Sequence, residues 1–473
     1  MSDYRIERDT LGEVEVPAHA LYGAQTQRAI RNFPISGLRL PPEFVRAQAI
    51  TKWAAAKANM DAGRLDPSVG SALVAAAEEI LSGQHLEYFV VDVFQAGAGT
   101  SQNMNINEVL ANRAGQLLAA AGATDVRVSP NDHANMGQST NDTIHVAIHV
   151  AAYCEIHSRL IPAAGELAQA LRDRAAEFDP VVKAGRTHLQ DAVPVRLGQE
   201  FGAYATMVDK GIRRVFHAAD ALRELAMGGS AVGTGLNTFP DYRRLAIGYI
   251  SEATGHHFVP CEDRFEAMQC FDAVVEVVGA LRVLVTSLRK IAADLILLSS
   301  GPRTGLSEIR LKPVQPGSSI MPGKVNPVLP EMLSMVCFHA LGNDAAVVAA
   351  AQAGQLELNV MMPVIAYNLL QEIAILAGGM SAFTEHCVRH IEADEATCRR
   401  NAERSPALAT ALNPAIGYFR AAELAKEALE RDVMIRDLVV EQGLLSPEET
   451  NQVLDVRRMT VPPDEPQGGS PGP

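Results

Sequence analysis

Three polar, glycine-containing segments interrupt an otherwise apolar chain of 473 residues. They are residues 97–105 (GAGTSQNMN), 137–142 (GQSTND) and 317–327 (GSSIMPGKVNP). Each gathers hydroxyl and amide side chains just ahead of a helical pattern. A helix N-terminus has free N–H groups and a positive dipole end, so each segment is a ready anion site. Any one of them alone reads equally well as an N-cap and turn. Three together, with Lys324 behind a glycine, point to a clamp for carboxylates. Two other pairs, His145/His149 and His386/His390, stand four residues apart, a spacing that can bind zinc. Without a glutamate between them or a third ligand they read as ordinary helix faces.

The elements that must hold these segments are long helices. Residues 43–62 and 66–81 are amphipathic, the second with Asp66 as N-cap and Pro67 at its first position. Residues 141–178, 197–227, 261–300 and 327–353 each exceed the usual helix length and predict a bundle of rods. Residues 345–351 (AAVVAAA) are apolar or small on every face, so burial against other copies of the chain, a homo-oligomer, is expected. Short strands are expected only near the N-terminus, where residues 5–16 alternate weakly. The pattern shortens after about residue 395, and residues 461–473 (VPPDEPQGGSPGP) predict a disordered tail.

Composition sets the limits. Apolar residues make up 48% and charged residues 20%, too much core for disorder, while aromatics reach only 5%. With 41 basic and 55 acidic side chains the net charge is −14, which argues against nucleic acid or an anionic membrane as partner. The most apolar stretch, residues 273–300, carries Glu276, Arg282, Arg289, Lys290 and Asp294, so no membrane span is expected there. The N-terminus is charged from its third residue and is not a signal peptide. None of the six cysteines forms a C-x-x-C pair. Buried thiols in a reducing cytoplasm are the expectation.

The segment GSSIMPGKVNP resembles the signature of the fumarase/aspartase superfamily, G-S-S-x-x-M-P-x-K-x-N. The likeness extends to YGAQTQRA (22–29), NMNINEVLANRA (103–114), GRTHLQDAVP (185–194), AVGTGLNT (231–238) and ALNPAIGY (411–418). It implies an all-α protomer of three domains, here residues 1–137, 138–395 and 396–460. The central helices would join those of three other protomers in a twenty-helix core, a homotetramer whose active sites are each shared by three chains. The resemblance further implies removal of a Cβ proton from a small dicarboxylate and loss of the Cα substituent to leave fumarate. Ser318 would be the base. Lys324, Asn326 and Ser319 would hold the developing carboxylate charge. Thr100, Ser139, Thr140 and Asn141 would grip the carboxylates and leaving group, with Thr187 and His188 beside the latter and Glu331 orienting the histidine. No cofactor or metal is expected.

The leaving group is less plain. S-T-N-D at 139–142, N-D-H at 131–133 and G-Q-L-x-L-N at 354–359 resemble the aspartase branch, while His188 is usual in fumarases and found in some aspartases. These details favour elimination of ammonia from L-aspartate, with hydration of fumarate to L-malate as the alternative. Ser129 stands where these families usually carry histidine, so the accessory anion site of fumarases is not expected. A silent structural role, as in the superfamily's lens crystallins, is disfavoured by Ser318, His188, Lys324 and Asn326.

Overall fold

The computed structural model describes residues 3–462; the expected disordered tail falls outside them from residue 463 on. The chain folds into two compact units. One is formed by Met1–Pro162, Gly211–Val285 and Phe338–Ala377, the other by Ala163–Lys210, Thr286–Cys337 and Gly378–Pro473. Helices dominate both, and among the described residues every sheet has two strands.

In the first unit the N-terminal residues form a hairpin, Tyr4–Asp9 paired antiparallel with Gly12–Pro17, as the weak alternation predicts. Helices Pro42–Asp61 and Pro67–Leu81 match their expected bounds within a residue. The Asp66 carboxylate caps the latter by accepting from the N–H groups of Ser68 and Val69. Alanines and aliphatic residues of these two helices and of Thr100–Ala120 make the core. Glu108, on the third of them, accepts from the backbone of Gly23 (2.8 Å), Gln25 (2.8 Å) and Thr26 (3.1 Å) and from the Thr26 hydroxyl (2.6 Å). That contact stitches YGAQT to NINEV and gives both sequence motifs a physical reason. A Cβ on Gly23 would stand 2.6 Å from a Glu7 carboxylate oxygen and 2.9 Å from the Glu108 carboxyl carbon, so a larger residue would have to push those carboxylates aside.

The long rods are present with sharper ends. Residues 141–178 resolve into helices Thr140–Glu155 and Ile161–Glu177 joined through a π-turn at Ile156–Leu160. The rod expected over 197–227 ends at Ala219, and that over 261–300 begins at Asp272, after a separate short helix, Arg264–Gln269. Val328–Ala351 is as expected, and Met362–His386 is a further rod that residue patterning did not single out.

Two helices, Val328–Ala351 and Met362–His390, are long and apolar enough to cross a membrane. Only 39% and 56% of their most apolar windows is buried within one chain, so much apolar surface waits for cover. On the first of them Met335 and Phe338 are 64% and 58% exposed, and Leu341 is also exposed.

All six cysteines are free thiols, and Cys261, Cys337, Cys387 and Cys398 are buried.

Candidate functional site

The first unit holds Thr100, Ser139, Thr140 and Asn141. Thr100 opens helix Thr100–Ala120 directly after the turn Gly97–Gly99 and is exposed. Thr140 opens Thr140–Glu155, whose N-terminus is a closed capping box: the Ser139 hydroxyl accepts from Asn141 N–H (3.2 Å) and Asp142 accepts from Ser139 N–H (3.0 Å). The other Asp142 oxygen accepts from the backbone N–H groups of Gly228 (3.1 Å) and Ser230 (3.0 Å). The Asn141 amide donates to the Ala231 carbonyl at 2.7 Å. The AVGTGLNT motif thus backs the 139–142 segment. One hydrogen of the Asn141 NH2 group is used on that carbonyl, which turns the amide so that Oδ1 is left to accept a hydrogen from a ligand and the second N–H to donate one. Burial pushes the Asp142 carboxyl up to about 6, against those backbone donors and the charge of Lys52.

The second unit holds the rest. Ser318, Ser319, Lys324 and Asn326 lie on an irregular loop that leads into Val328–Ala351. The Ser318 oxygen accepts two backbone hydrogens, from Ile320 (3.2 Å) and Met321 (2.9 Å). Two N–H donors aimed at one serine oxygen stabilise it as an oxyanion, which is what a serine needs to act as a base. Asn326 donates its amide to the Gly317 carbonyl, and the Lys324 N–H reaches the Met321 carbonyl at 3.3 Å. The pinch is close: a Cβ on Gly317 would lie 1.8 Å from the Lys324 carbonyl oxygen. Glu331 sits exposed in the first turn of the following helix.

Thr187 and His188 lie at the exposed tip of a hairpin, Val182–Thr187 paired with Gln190–Arg196. Residue patterning did not reveal this hairpin. His188 (φ 56) and Leu189 (φ 59) both take the left-handed conformation of a two-residue turn, normally the place of Asn-Gly. Each such non-glycine residue costs about 1–2 kcal/mol, which the strand pairing must hold down. The anchor is ionic. Glu308, fully buried, receives Arg186 through two bonds (2.8 and 2.9 Å), Lys183 at 3.2 Å and Asn401 at 3.1 Å. Burial alone would push this carboxyl up; Arg186, Lys183 and Asn401 hold it below the usual range. Among the described residues no hydrogen bond joins His188 to Glu331 within one chain.

Lys324 and Asn326 also border a cavity of about 1080 Å³ on whose wall Arg174, Arg310 and Arg389 are paired to Glu177, Asp394 and Glu385, while Lys312 joins Lys324 there as a further cation. Lys312 and Lys324 have no carboxylate partner among the described residues, so this chain of net charge −14 offers a local cationic face to an anion. The cations at 310 and 312 were legible as R-L-K just ahead of the loop. His145 and His149 are buried with rings 4.3 Å apart, and His149 meets the Glu224 carbonyl at 3.0 Å, so they pack the helix interior. Ligand atoms of Glu266, Cys270 and Asp272 lie within 4.8 Å of one another, the one such group among the described residues. Ser129 bonds to Asp132 (2.8 Å) and its N–H to His133 Nδ1 (3.0 Å), closing that turn on itself.

Residues 12–342 match the family described as Lyase, and residues 408–461 match the fumarase C C-terminus. A class II fumarate hydratase of Halobacterium salinarum is 54% identical over 97% of each chain. An aspartate ammonia-lyase of Bacillus subtilis is 45% identical, also over 97% of each. The crystal structure of class II fumarase from Schistosoma mansoni superposes with a TM-score of 0.94 at 35% identity, covering 98% of this chain and all of the other.

Proposed function

Because this chain belongs to the fumarase/aspartase superfamily of lyases, we propose that it interconverts L-malate and fumarate, as a cytoplasmic homotetramer. One observation carries the choice of water as leaving group: the hydratase relative shares more of this sequence than the ammonia-lyase relative, 54% against 45% over equal spans. In the forward elimination Ser318 takes the Cβ proton and the electron pair moves into the adjacent carboxylate; the Cα–O bond then breaks as its oxygen takes a proton from His188 beside it, and water leaves. The proton is weakly acidic, so stabilising the doubly charged carboxylate dominates the rate. Lys324, Asn326 and the loop amides supply that stabilisation. Thr140 and Thr100 hold the other carboxylate, while the free Asn141 Oδ1, Thr187 and His188 face the departing group.

A second reading, elimination of ammonia from L-aspartate, is favoured by the S-T-N-D, N-D-H and G-Q-L-x-L-N segments. A hydroxyl and an ammonium both donate hydrogens, so the acceptor at Asn141 suits either.

The tetramer rests on the uncovered apolar faces of the long helices and on the absence of a His188–Glu331 bond within one chain, which a neighbouring copy would complete. The six free thiols suit a reducing compartment. Fumarate is followed by its ultraviolet absorbance after mixing pure protein with L-malate and, separately, with L-aspartate. Appearance from malate alone supports the hydratase; appearance from aspartate alone replaces it with the ammonia-lyase; appearance from neither overturns both. Sedimentation of the purified protein as a monomer would refute the tetramer.

A further inference from the structure

Behind Thr140 lies a chain of side-chain hydrogen bonds that begins at a buried lysine. Lys52, on helix Pro42–Asp61, is 3% exposed and donates from Nζ to Asn135 Oδ1 at 2.9 Å. Burial pushes its ammonium down to about 7, with Asp142 acting against that shift; the neutral amine still carries hydrogens to donate. An amide NH2 cannot accept from it, so Lys52 dictates which end of Asn135 faces it. The same Oδ1 accepts from Asn107 Nδ2 (3.1 Å) and Asn103 Nδ2 (3.2 Å), and Asn135 Nδ2 donates to the Gln138 carbonyl (3.2 Å). Asn103 is fixed in turn. Its Nδ2 also donates to Thr140 Oγ1 at 3.1 Å, and its Oδ1 accepts from the Thr143 hydroxyl at 3.3 Å. Thr140 Oγ1, already an acceptor, keeps its own hydrogen for another partner.

We propose that Lys52 is a positioning residue for dicarboxylate recognition: it orients Asn135 and, through Asn103, holds Thr140 as a hydrogen-bond donor to a substrate carboxylate. The proposal rests on the reading of Thr140 as a substrate-gripping residue. Turning Asn135 would set its NH2 group against the Lys52 amine, and turning Asn103 would set its oxygen against Asn135 Oδ1, both in a buried place, so the polarity passes from Lys52 to Thr140 as a unit.

The test is steady-state kinetics on the full-length protein with whichever of L-malate and L-aspartate the wild type converts. Lys52→Met, which fills the space but donates nothing, is expected to raise KM about tenfold while kcat changes less than about threefold. Asn103→Asp replaces the donor to Thr140 with an acceptor that claims the hydroxyl hydrogen, and is expected to raise KM at least as much; it carries the test if Lys52→Met does not fold. In a Thr140→Val background, Lys52→Met is expected to add less than twofold, because the residue it acts through is gone. A folded Lys52→Met or Asn103→Asp with unchanged KM overturns the proposal, as does an undiminished Lys52→Met effect in the Thr140→Val background. An inactive wild type overturns the functional reading and this proposal with it; an active wild type with unmoved variants overturns this proposal alone.

Discussion

Residues 139–142 and residues 317–326 are both polar, both precede a long helix, and are held in opposite ways. The first segment is tied on every side: a capping box, two backbone donors to Asp142, a bond from Asn141 to Ala231 and the amide relay behind Thr140. The second is exposed from Ser319 through Val325, and the hydrogen bonds recorded within it are its own. The difference follows from the tasks proposed for them. A segment that grips a carboxylate gains from rigidity fixed in advance, since no ordering entropy is then lost on binding. A loop carrying a base must admit substrate and then exclude water, so it stays accessible, with only the serine oxygen pre-arranged.

If the exposed loop performs the chemistry and the tied segment the gripping, substitutions should separate the two. Ser318→Ala should lower kcat by about a thousandfold or more while sedimentation stays that of the wild type; near-normal turnover would remove the distinction altogether. Gly317→Ala must open the pinch at Lys324. We expect it to lower kcat at least tenfold with little change in Tm, because the strain falls on exposed backbone; a large drop in Tm would mean the loop supports the fold. Thr140→Val should act mainly on KM, raising it about ten- to a hundredfold, the scale of one hydrogen bond to a charged group. A fall in kcat with KM unmoved would place Thr140 with the chemistry instead.

The smallest effect concerns acid. Burial pushes His149 down to about 4, against an ordinary value of about 6.5, so the folded chain holds it neutral. A depressed histidine contributes stability that is fully present above about pH 6.5 and is lost as pH falls toward 4, where the unfolded chain binds the extra proton. Helix Thr140–Glu155, which carries His149, should therefore melt earlier in acid, and His149→Gln should flatten the fall of Tm between pH 6.5 and 4. An unchanged slope would show that other groups govern acid unfolding.

Much of this arrangement was visible in the residues themselves. Caps, prolines and glycines act locally, so helix starts at Pro67, Thr140 and Val328 could be placed within a residue or so from neighbours in sequence, whereas the helix at Thr100 begins inside the polar segment expected to precede it. The hairpin under His188 could not. Gly185 and Pro194 break its alternation, its turn uses His-Leu rather than a common turn pair, and its anchor, Glu308, lies 122 residues from Arg186. Lys52 was hidden differently: in ITKWAAAKA it reads as one more polar residue on a helix face, and only packing shows that it points inward. Tertiary partners, unlike caps, leave no mark at fixed spacing.

The exposed apolar stripe at Met335, Phe338 and Leu341 has a consequence for how the protein comes into being. A newly folded single copy presents these side chains to water, and such surface adheres to whatever it meets first. Productive docking is of at least second order in chain concentration, but so is clumping with unfinished chains. Refolding from denaturant should therefore give its best yield at intermediate concentration: too dilute, and lone copies persist; too concentrated, and half-folded ones precipitate. The same greasy face that would complete the enzyme sets a time limit on its solitary life.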